Sequence, residues 1–386
     1  MRAKTQRAVV KLESVAFESH MIGPTDTAVG LFAREFASSI FEGRWLDVTQ
    51  NGFGEASSPS VVAIDCTPNG TYLMSSQLFG LKGRVFVMSL GLMLGLTACG
   101  DGNAAKKVLV IGIDGIRVDI LAETSTPNID ALIAEGFFSD RARTNVRTMS
   151  GPGWSGMLIG ARTDKHLVDS NNFTGNDYAT YPEFLTRLEQ VNPSFNTLAV
   201  VDWAPLATTA SGGPLFSDAI DELLFFDGEE EGYHRADSLS VAAAVDRLES
   251  EDIDAAFVYI GDADEISHVT GTYAPEYRSA IEEADALVGR LVAAIQRRPT
   301  YADEDWLILV STDHGRNEEG GHGGDSDQER TIFFLAHGPS VVREPIETVP
   351  NIVDVAVTAL THLGVDIDPA WNLDGKAVAL RAARVQ

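Results

Sequence analysis

An α/β fold is predicted for residues 100–386, with a mostly parallel central sheet and helices on both of its faces. Apolar runs rich in Val and Ile alternate there with segments of helical periodicity. No stretch rich in Pro, Gly or Ser divides these residues, so a single domain is expected. Asp and His residues recur where the predicted strands end, and this is the edge at which open α/β sheets bind ligands.

The predicted strands are short, uninterrupted apolar runs, as is typical of strands that are buried on both faces. They cover residues 108–113, 198–201, 256–260, 306–310 and 331–335. Between the first two strands, Pro127 begins a predicted helix and Gly136 ends it. Apolar residues at helical spacing predict two more helices, over residues 281–295 and over residues 352–363, the latter followed by Gly364.

The composition excludes several classes of protein. Apolar residues make up 44% of the chain and charged residues 22%, which excludes disordered and fibrous proteins. No apolar run reaches the roughly 18 residues of a membrane span. The net charge of −27 repels nucleic acid, so nucleic-acid binding by a basic surface is not expected. With two cysteines, a disulfide scaffold is not expected either.

The acidity belongs to the predicted domain alone, because residues 1–99 contain eight basic and eight acidic side chains. Near the end of that segment, Lys82 and Arg84 precede an uncharged stretch over residues 85–98, a pattern typical of signal peptides. The stretch ends in Leu-Thr-Ala-Cys, which resembles the lipobox of bacterial lipoproteins. Residues 74–99 are therefore predicted to be a lipoprotein signal peptide that ends in the lipobox residue Cys99.

A signal peptide must stand at the N-terminus, so translation is expected to start at or near Met74. Residues 1–73 are then an upstream extension that is not part of the mature protein. We expect the exported domain to be lipid-anchored at Cys99, on the extracytoplasmic face of a bacterial-type membrane, in the periplasm or on the cell surface. The alternative is a genuine N-terminal appendage with a buried helix over residues 85–98.

Two candidate site residues follow the first predicted strand and the first helix. Asp114 comes directly after the strand, in the sequence VLVIGIDG. Ser150, in RTMSGPGWSG, is predicted to be a helix N-cap with Pro152 in the first turn. A hydroxyl group at that position is either a cap or a nucleophile whose phosphorylated form lies against the free N–H groups of the helix.

The other candidates are carboxylates and imidazoles after two later strands. Asp264 and His268 lie four residues apart, and Asp313 and His314 are adjacent. His322 follows in a glycine-rich segment that can bend to bring these side chains together. Mixed carboxylate and imidazole ligands without Cys favour Zn²⁺, with Mn²⁺ or Fe as alternatives. The candidates are too many for one tetrahedral ion and fit two divalent ions about 3.5–4 Å apart.

This order of elements resembles the alkaline phosphatase superfamily and, within it, the type I phosphodiesterase/nucleotide pyrophosphatase family, over residues 108–374. The resemblance implies one metal site built from Asp114, Asp313, His314 and the Ser150 oxygen. It implies a second metal site built from Asp264, His268 and His322. It also implies an Asn that holds a phosphoryl oxygen, and Asn171 has the matching distance from the nucleophile along the chain, with Asn172 beside it.

The function implied by this resemblance is metal-dependent hydrolysis of a small phosphate ester or diester. Ser150 would be the metal-activated nucleophile and would form a covalent phosphoserine. The family's usual motif has Thr followed by a bulky aromatic residue, whereas Gly151 follows Ser150 here, which leaves the nucleotide preference open. Arg147 and Arg316 lie beside the site motifs and either contact the substrate or pair with carboxylates.

Several alternatives within the superfamily stay open, namely a phosphomonoesterase, a phosphonate hydrolase, a phospho-group transferase and a sulfatase. Against the sulfatase, Trp154 stands where the Ser-type sulfatase motif has Arg, and the histidines disfavour a single Ca²⁺. A non-catalytic lipoprotein that binds a partner is a remote alternative, because every expected ligand is present. The sequence predicts no oligomeric state.

Overall fold

The computed structural model describes residues 104–144, 147–344 and 348–381, together with strands β1 (Ala63–Cys66) and β2 (Tyr72–Ser75). β1 and β2 form a separate antiparallel pair. Apart from these strands, the predicted extension and the predicted signal peptide lie outside the described residues, so both stay predictions, as does the lipid anchor at Cys99. None of the helices in the described part of the chain has the length and apolar character that crossing a membrane requires.

The central sheet has seven strands in the order β4–β9–β8–β3–β7–β5–β6. β3 pairs in parallel with β7 and β8, and β5 pairs in parallel with β6 and β7. Only β9 runs the other way, antiparallel to β4 and β8, which confirms the predicted mostly parallel sheet. The strands are β3 (Ala105–Ile113), β4 (Phe137–Arg143), β5 (Thr197–Val201), β6 (Glu222–Phe225), β7 (Ala255–Ile260), β8 (Glu304–Ser311) and β9 (Thr331–His337).

Helices cover both faces of this sheet, as the sequence predicts. Alternate residues of β3 point to opposite cores, with Val108 and Val110 in one and Leu109 and Ile111 in the other. The helices are α1 (Val118–Glu123), α2 (Pro127–Glu135), α3 (Ser150–Ile159), α4 (Thr163–His166), α5 (Phe184–Val191), α6 (Ala204–Ala207), α7 (Gly228–Glu231), α8 (Tyr233–Ser250), α9 (Asp262–Thr270), α10 (Pro275–Gln296), α11 (Asp327–Arg330) and α12 (Asp354–His362).

Two strands, β4 and β6 at the edges of the sheet, are not among the predicted ones. β4 has the sequence FFSDRAR, in which charged residues interrupt the apolar run because one edge of the strand meets solvent. β6 is four residues long and only half-buried, so its pattern is too short to identify. The five predicted strands are the five inner strands of the sheet, where burial demands an uninterrupted apolar run.

Helix α3 is buried over its whole length and packs directly on the central strand β3. Its Trp154 ring lies against the backbone of Gly112, where an added Cβ atom would come within 2.3 Å of the ring. The ring also packs edge-on against Phe257 on the neighbouring strand β7. Glycine is therefore required at position 112, because any side chain would displace the helix that begins at Ser150.

The substitution Gly112→Ala is expected to lower the free energy of unfolding by about 1–3 kcal/mol, because the added methyl group overpacks the contact with Trp154. Urea denaturation followed by circular dichroism measures the change. Ser139→Ala, on the edge strand β4, serves as the control and should stay within about 0.5 kcal/mol of the parent. If the Gly112→Ala protein is as stable as the parent, the close packing of α3 on β3 is wrong.

Candidate metal centre

The predicted ligands meet at one edge of the sheet because the three strands that carry them run in parallel. Asp114 directly follows β3, the strand between β7 and β8. Asp264 lies in the first turn of α9, just beyond β7, and Asp313 and His314 follow β8. The carboxyl ends of parallel neighbours share an edge, so residues far apart in the sequence become neighbours there.

The first ligand group consists of Asp114, Asp313 and His314, each at most 2% exposed. One ligand atom of each lies within 4.8 Å of the others. The Nε2 atom of His314 is 3.6 Å from Asp114 Oδ1 and 3.3 Å from Asp313 Oδ2. The Oγ atom of Ser150 is 3.5 Å from the same nitrogen, so the predicted nucleophile adjoins this group.

The hydrogen bonds of these carboxylates leave one oxygen of each directed into the group. Asp114 Oδ2 accepts hydrogen bonds from Trp154 Nε1 at 3.0 Å and from the Tyr259 hydroxyl at 2.7 Å, and Asp313 Oδ1 accepts one from Gly115 N at 3.2 Å. Within the described part of the chain, Asp114 Oδ1 and Asp313 Oδ2 are buried without a hydrogen-bond partner. Buried oxygens of this kind are costly unless a cation satisfies them, so the group fits a divalent metal ion.

The second ligand group consists of Asp264, His268 and His322. His268 Nε2 is 3.1 Å from Asp264 Oδ2 and 3.0 Å from His322 Nε2. The His322 ring is held by a hydrogen bond from Nδ1 to the Thr148 carbonyl at 2.9 Å, which leaves Nε2 to face the group. The His268 side chain is 40% exposed, so this side of the centre opens to solvent.

The two groups adjoin through their imidazoles. The rings of His314 and His322 stack with their centroids 4.0 Å apart. His314 Nδ1 faces the Gly315 carbonyl at 3.0 Å, so its Nε2 also points into the centre. One ligand atom each of Asp264, His314 and His322 also lies within 4.8 Å of the others. The structure thus brings all six predicted carboxylates and imidazoles into one continuous cluster.

Arg316 is the residue of this centre to which the sequence analysis assigns no definite role. Its guanidinium group is fully buried and donates from Nη1 to Asp264 Oδ1. Its Nε atom donates to the Gly320 carbonyl at 2.8 Å, in the glycine-rich loop that leads to His322. Arg316 therefore pairs with a carboxylate and ties Asp264 to that loop, whereas Arg147 is exposed.

The prediction that Ser150 is a helix N-cap is wrong. The N-cap is Met149, whose backbone is extended with φ −137° and ψ 151°, and Ser150 is the first helical residue. Because its hydroxyl group is one position too late to cap the helix, that group is turned towards His314 instead. At this helix start Gly151 N donates to Asn171 Oδ1, Gly153 N donates to the Met149 carbonyl, and Pro152 has no N–H group, so the set of free N–H groups expected from the sequence is largely absent here.

Asn171 lies beside the start of the same helix. Its Oδ1 atom accepts a hydrogen bond from Gly151 N at 2.8 Å, next to Ser150 in the chain. The neighbouring Asn172 instead accepts from the Thr174 backbone at 3.0 Å, within its own loop. Of the two Asn residues that the sequence offers, Asn171 is therefore the one placed at the candidate nucleophile.

The electrostatics of the centre favour a bound cation. Burial, reinforced by neighbouring carboxylates, raises the pKa of Asp114 well above its ordinary value and raises the pKa of Asp313 to about 7. Burial alone would also raise the pKa of Asp264, but Arg316 and the nearby imidazoles outweigh it and hold that pKa below the usual range. Burial lowers the pKa of His314, so this imidazole is neutral, as a metal ligand must be.

The fold and this cluster define an α/β protein with a candidate metal centre at the carboxyl ends of its parallel strands. The family model "Type I phosphodiesterase / nucleotide pyrophosphatase" matches residues 108–322, and a model for a domain of unknown function matches residues 340–379. Human ectonucleotide pyrophosphatase/phosphodiesterase family member 7 is 23% identical over 237 residues, which are 55% of this chain and 48% of the human protein. The chain thus spans about half the length of this relative.

Two solved structures show the same fold. A 2-O GAG sulfatase superposes with a TM-score of 0.56 at 12% identity, covering 71% of this chain and 73% of the sulfatase. Murine ectonucleotide pyrophosphatase/phosphodiesterase 5 superposes with a TM-score of 0.52 at 15% identity, covering 68% of this chain and 96% of the murine chain. The family match covers more than half of the sequence, and the chain belongs to the type I phosphodiesterase/nucleotide pyrophosphatase family.

Removal of metal with EDTA is expected to make the stability of the protein fall as the pH rises from about 4 to about 7. In the folded, metal-free protein Asp313 keeps its proton up to about pH 7, whereas in the unfolded chain it releases the proton near its ordinary pKa of 3.8. Between about pH 4 and about pH 7 the folded state therefore binds more protons than the unfolded state. The contribution of Asp313 to the free energy of unfolding is complete below this interval and is lost as the pH rises through it. Urea denaturation of EDTA-treated protein at about pH 5 and about pH 8 measures the difference.

The variant Asp313→Asn should reduce this pH dependence, because the amide has no proton to lose. Asp325→Asn is the matched control, since Asp325 is 88% exposed on its side chain and should leave the dependence unchanged. Added divalent metal should restore stability most at the higher pH. A metal-free Asp313→Asn protein with the same pH dependence of stability as the metal-free parent would contradict the assignment.

Proposed function

We propose that this domain is a metal-dependent phosphoric ester hydrolase, similar to phosphodiesterases and nucleotide pyrophosphatases, with Ser150 as its nucleophile. The observation that carries the proposal is the position of Ser150 Oγ, at the first residue of a buried helix and 3.5 Å from His314 Nε2. Membership of the type I phosphodiesterase/nucleotide pyrophosphatase family supports the reaction class. A small phosphate ester or diester is the proposed substrate.

The proposed cofactors are two divalent metal ions, and the two ligand groups described above would hold them. Zn²⁺ suits their mixture of carboxylate and imidazole ligands, with Mn²⁺ or Fe as alternatives. When bound, such ions lower the pKa of a nucleophilic hydroxyl group and offset the charge of a phosphoryl group. The proposed ligands are Asp114, Asp313, His314 and the Ser150 oxygen for one ion, and Asp264, His268 and His322 for the other.

The remaining steps belong to residues of the chain. The Ser150 oxygen attacks phosphorus, the bond from phosphorus to the leaving group breaks, and a phosphoserine forms. Water then cleaves the phosphoserine and regenerates the hydroxyl group. The Asn171 carbonyl oxygen is engaged by Gly151 N, which leaves the Asn171 amide N–H groups to donate to a non-bridging phosphoryl oxygen.

The dipole of helix α3 supports the same intermediate. A phosphoryl group on Ser150 would lie at the positive end of this ten-residue helix. Cations at the centre would also explain how a chain with a net charge of −27 binds an anionic substrate, because the positive charge is supplied locally.

A sulfatase-like hydrolase is the second candidate, supported by the similarity of the fold to solved sulfatases. Trp154 argues against it, because this residue stands where Ser-type sulfatases have Arg and is buried with its indole N–H on Asp114. The imidazole ligands also disfavour Ca²⁺. Hydrolysis of phosphomonoesters or phosphonates and transfer to an acceptor other than water are the further alternatives. On the lipobox resemblance alone, we propose that the domain is anchored outside the cytoplasm at Cys99.

The variant Ser150→Ala is expected to lower kcat for bis-p-nitrophenyl phosphate at least about a thousandfold, because the nucleophile is lost. Its metal content should stay close to that of the parent, since six other ligands remain. Ser150→Thr keeps a hydroxyl group at the same position and should retain measurable turnover. Rates of p-nitrophenol release together with elemental analysis of the purified protein measure both properties.

Ser194→Ala is the control for this experiment, because Ser194 lies in an exposed turn. Near-parental turnover by Ser150→Ala would defeat the assignment of the nucleophile. An aryl sulfate and a phosphate monoester assayed in parallel test the substrate class. Turnover of the sulfate well above that of the diester would overturn the proposed function in favour of the sulfatase.

A further inference from the structure

A fourth buried carboxylate lies at the edge of the sheet that carries the metal centre, but it belongs to neither ligand group. Asp202 directly follows β5, the neighbour of β7, and is 0% exposed. Within the described part of the chain, neither of its carboxylate oxygens has a hydrogen-bond partner. A buried carboxylate in this state is costly when it is ionised. Asp202 therefore requires either a cation or a proton.

The group that faces Asp202 is a second buried carboxylate, Asp237 on helix α8. Burial, together with this facing carboxylate, raises the pKa of Asp202 well above its ordinary value, and the nearby Ser240 hydroxyl group only reduces the rise. The two carboxylates are close enough to form a hydrogen bond with each other, but two ionised groups have no hydrogen to donate. A proton on Asp202 would turn the contact into a hydrogen bond and remove one of the two negative charges.

Asp237 is the better place for the remaining negative charge, because backbone N–H groups already donate to it. Its Oδ1 atom accepts a hydrogen bond from Gly261 N at 2.7 Å, and its Oδ2 atom accepts one from Asp262 N at 3.0 Å. Burial raises the pKa of Asp237 to about 6, and these N–H groups limit the rise. Asp202 accepts no such hydrogen bonds. The proton therefore belongs to Asp202 and the charge to Asp237.

The surroundings of the pair offer no positive charge to replace that proton. The titratable groups that interact with the pair from the neighbouring elements are all acids, namely Tyr233 on α8, Tyr259 on β7, Asp114 after β3 and Asp262 on α9. On the side of α10, Asp237 lines a cavity whose other charged or titratable residues are His234, Asp262, Glu283 and Arg290. Among the described residues, no Lys, Arg or His side chain forms a salt bridge with either carboxylate of the pair.

We propose that Asp202 and Asp237 form a buried pair of one carboxylic acid and one carboxylate, which caps helix α9 and positions the second ligand group. The N-cap of α9 is Gly261, which has no side chain to cap the helix. The Asp237 carboxylate takes that place from α8, at the positive end of the helix dipole, where a negative charge is stabilising. Because α9 carries Asp264 and His268, fixing its first turn fixes both of these ligands. This positioning role rests on the proposed metal-dependent function, whereas the shared proton does not.

The variant Asp202→Asn tests the shared proton, because its amide is neutral and can still donate to Asp237. In the wild type, the contribution of Asp202 to stability is complete below about pH 4 and is lost as the pH rises through the raised pKa of the folded state. We expect the melting temperature of EDTA-treated Asp202→Asn to fall by fewer degrees than that of the wild type between about pH 5 and about pH 8. The control Asp246→Asn, an exposed residue on α8, should follow the wild type.

Zinc content tests the positioning role. After dialysis of the full chain against Zn²⁺ and removal of loosely bound ion, the wild type, Asp202→Asn and Asp246→Asn should hold equal amounts of zinc. Asp237→Asn should hold one equivalent less, because its NH₂ group would face one of the two N–H donors at the start of α9. In the double variant His268→Ala/His322→Ala, which lacks the second ligand group, Asp237→Asn should remove no further zinc.

Several results would overturn the proposal. If Asp202→Asn fails to fold, or keeps the pH dependence of the wild type, the shared proton is wrong. A loss of zinc in Asp202→Asn would make Asp202 a metal ligand instead. Equal zinc content in the wild type and a folded Asp237→Asn would contradict the positioning role, and the behaviour of Asp202→Asn decides the matter if Asp237→Asn does not fold. The melting temperatures need neither metal nor substrate, so they are independent of the ester assays that test Ser150.

Discussion

The structure depends on the mutual repulsion of carboxylates buried at the carboxyl ends of β3, β7 and β8. Asp114, Asp264 and Asp313 lie there around one pair of stacked imidazoles, and all three residues are buried. Carboxyl groups are stable in a protein interior only when they are protonated or when the charged form is paired with a cation. Arg316 neutralises one of the three, and the unpartnered oxygens of the other two face His314. A divalent ion at this place would remove the repulsion and create the reactive centre in one step.

The surrounding fold fixes the direction of these ligands more than it contributes chemistry. Trp154 packs on Gly112 and engages one oxygen of Asp114, so the packing of α3 on the sheet turns the other oxygen towards the centre. The same helix places Ser150 at its first residue. Helix packing, carboxylate orientation and the position of the candidate nucleophile are therefore one structural feature. Arg316 orients Asp264 by donating to its Oδ1 atom, and it holds the loop that leads to His322 by donating to the Gly320 carbonyl.

The sequence predicts the inner strands and the ligands because both leave local patterns, namely apolar runs and acidic or imidazole residues directly after them. It misses β4 and β6, whose exposed edges break that pattern. The sequence pattern places the N-cap of α3 at Ser150 instead of Met149, because the position of the N-cap depends on the backbone angles of a single residue. The contacts of Asp114 with Trp154 and Tyr259 join residues 40 and 145 positions apart, and no local pattern indicates such pairs.

The central claim is that the carboxylates and imidazoles at the strand ends hold two metal ions beside Ser150. Anomalous diffraction at the zinc edge, from crystals of the zinc-loaded protein, tests it most directly. We expect two adjacent peaks, one among Asp114, Asp313 and His314 and the other among Asp264, His268 and His322, with Ser150 Oγ next to the first. A single peak in the centre, or zinc bound without contact to either Asp114 or Asp313, would contradict it.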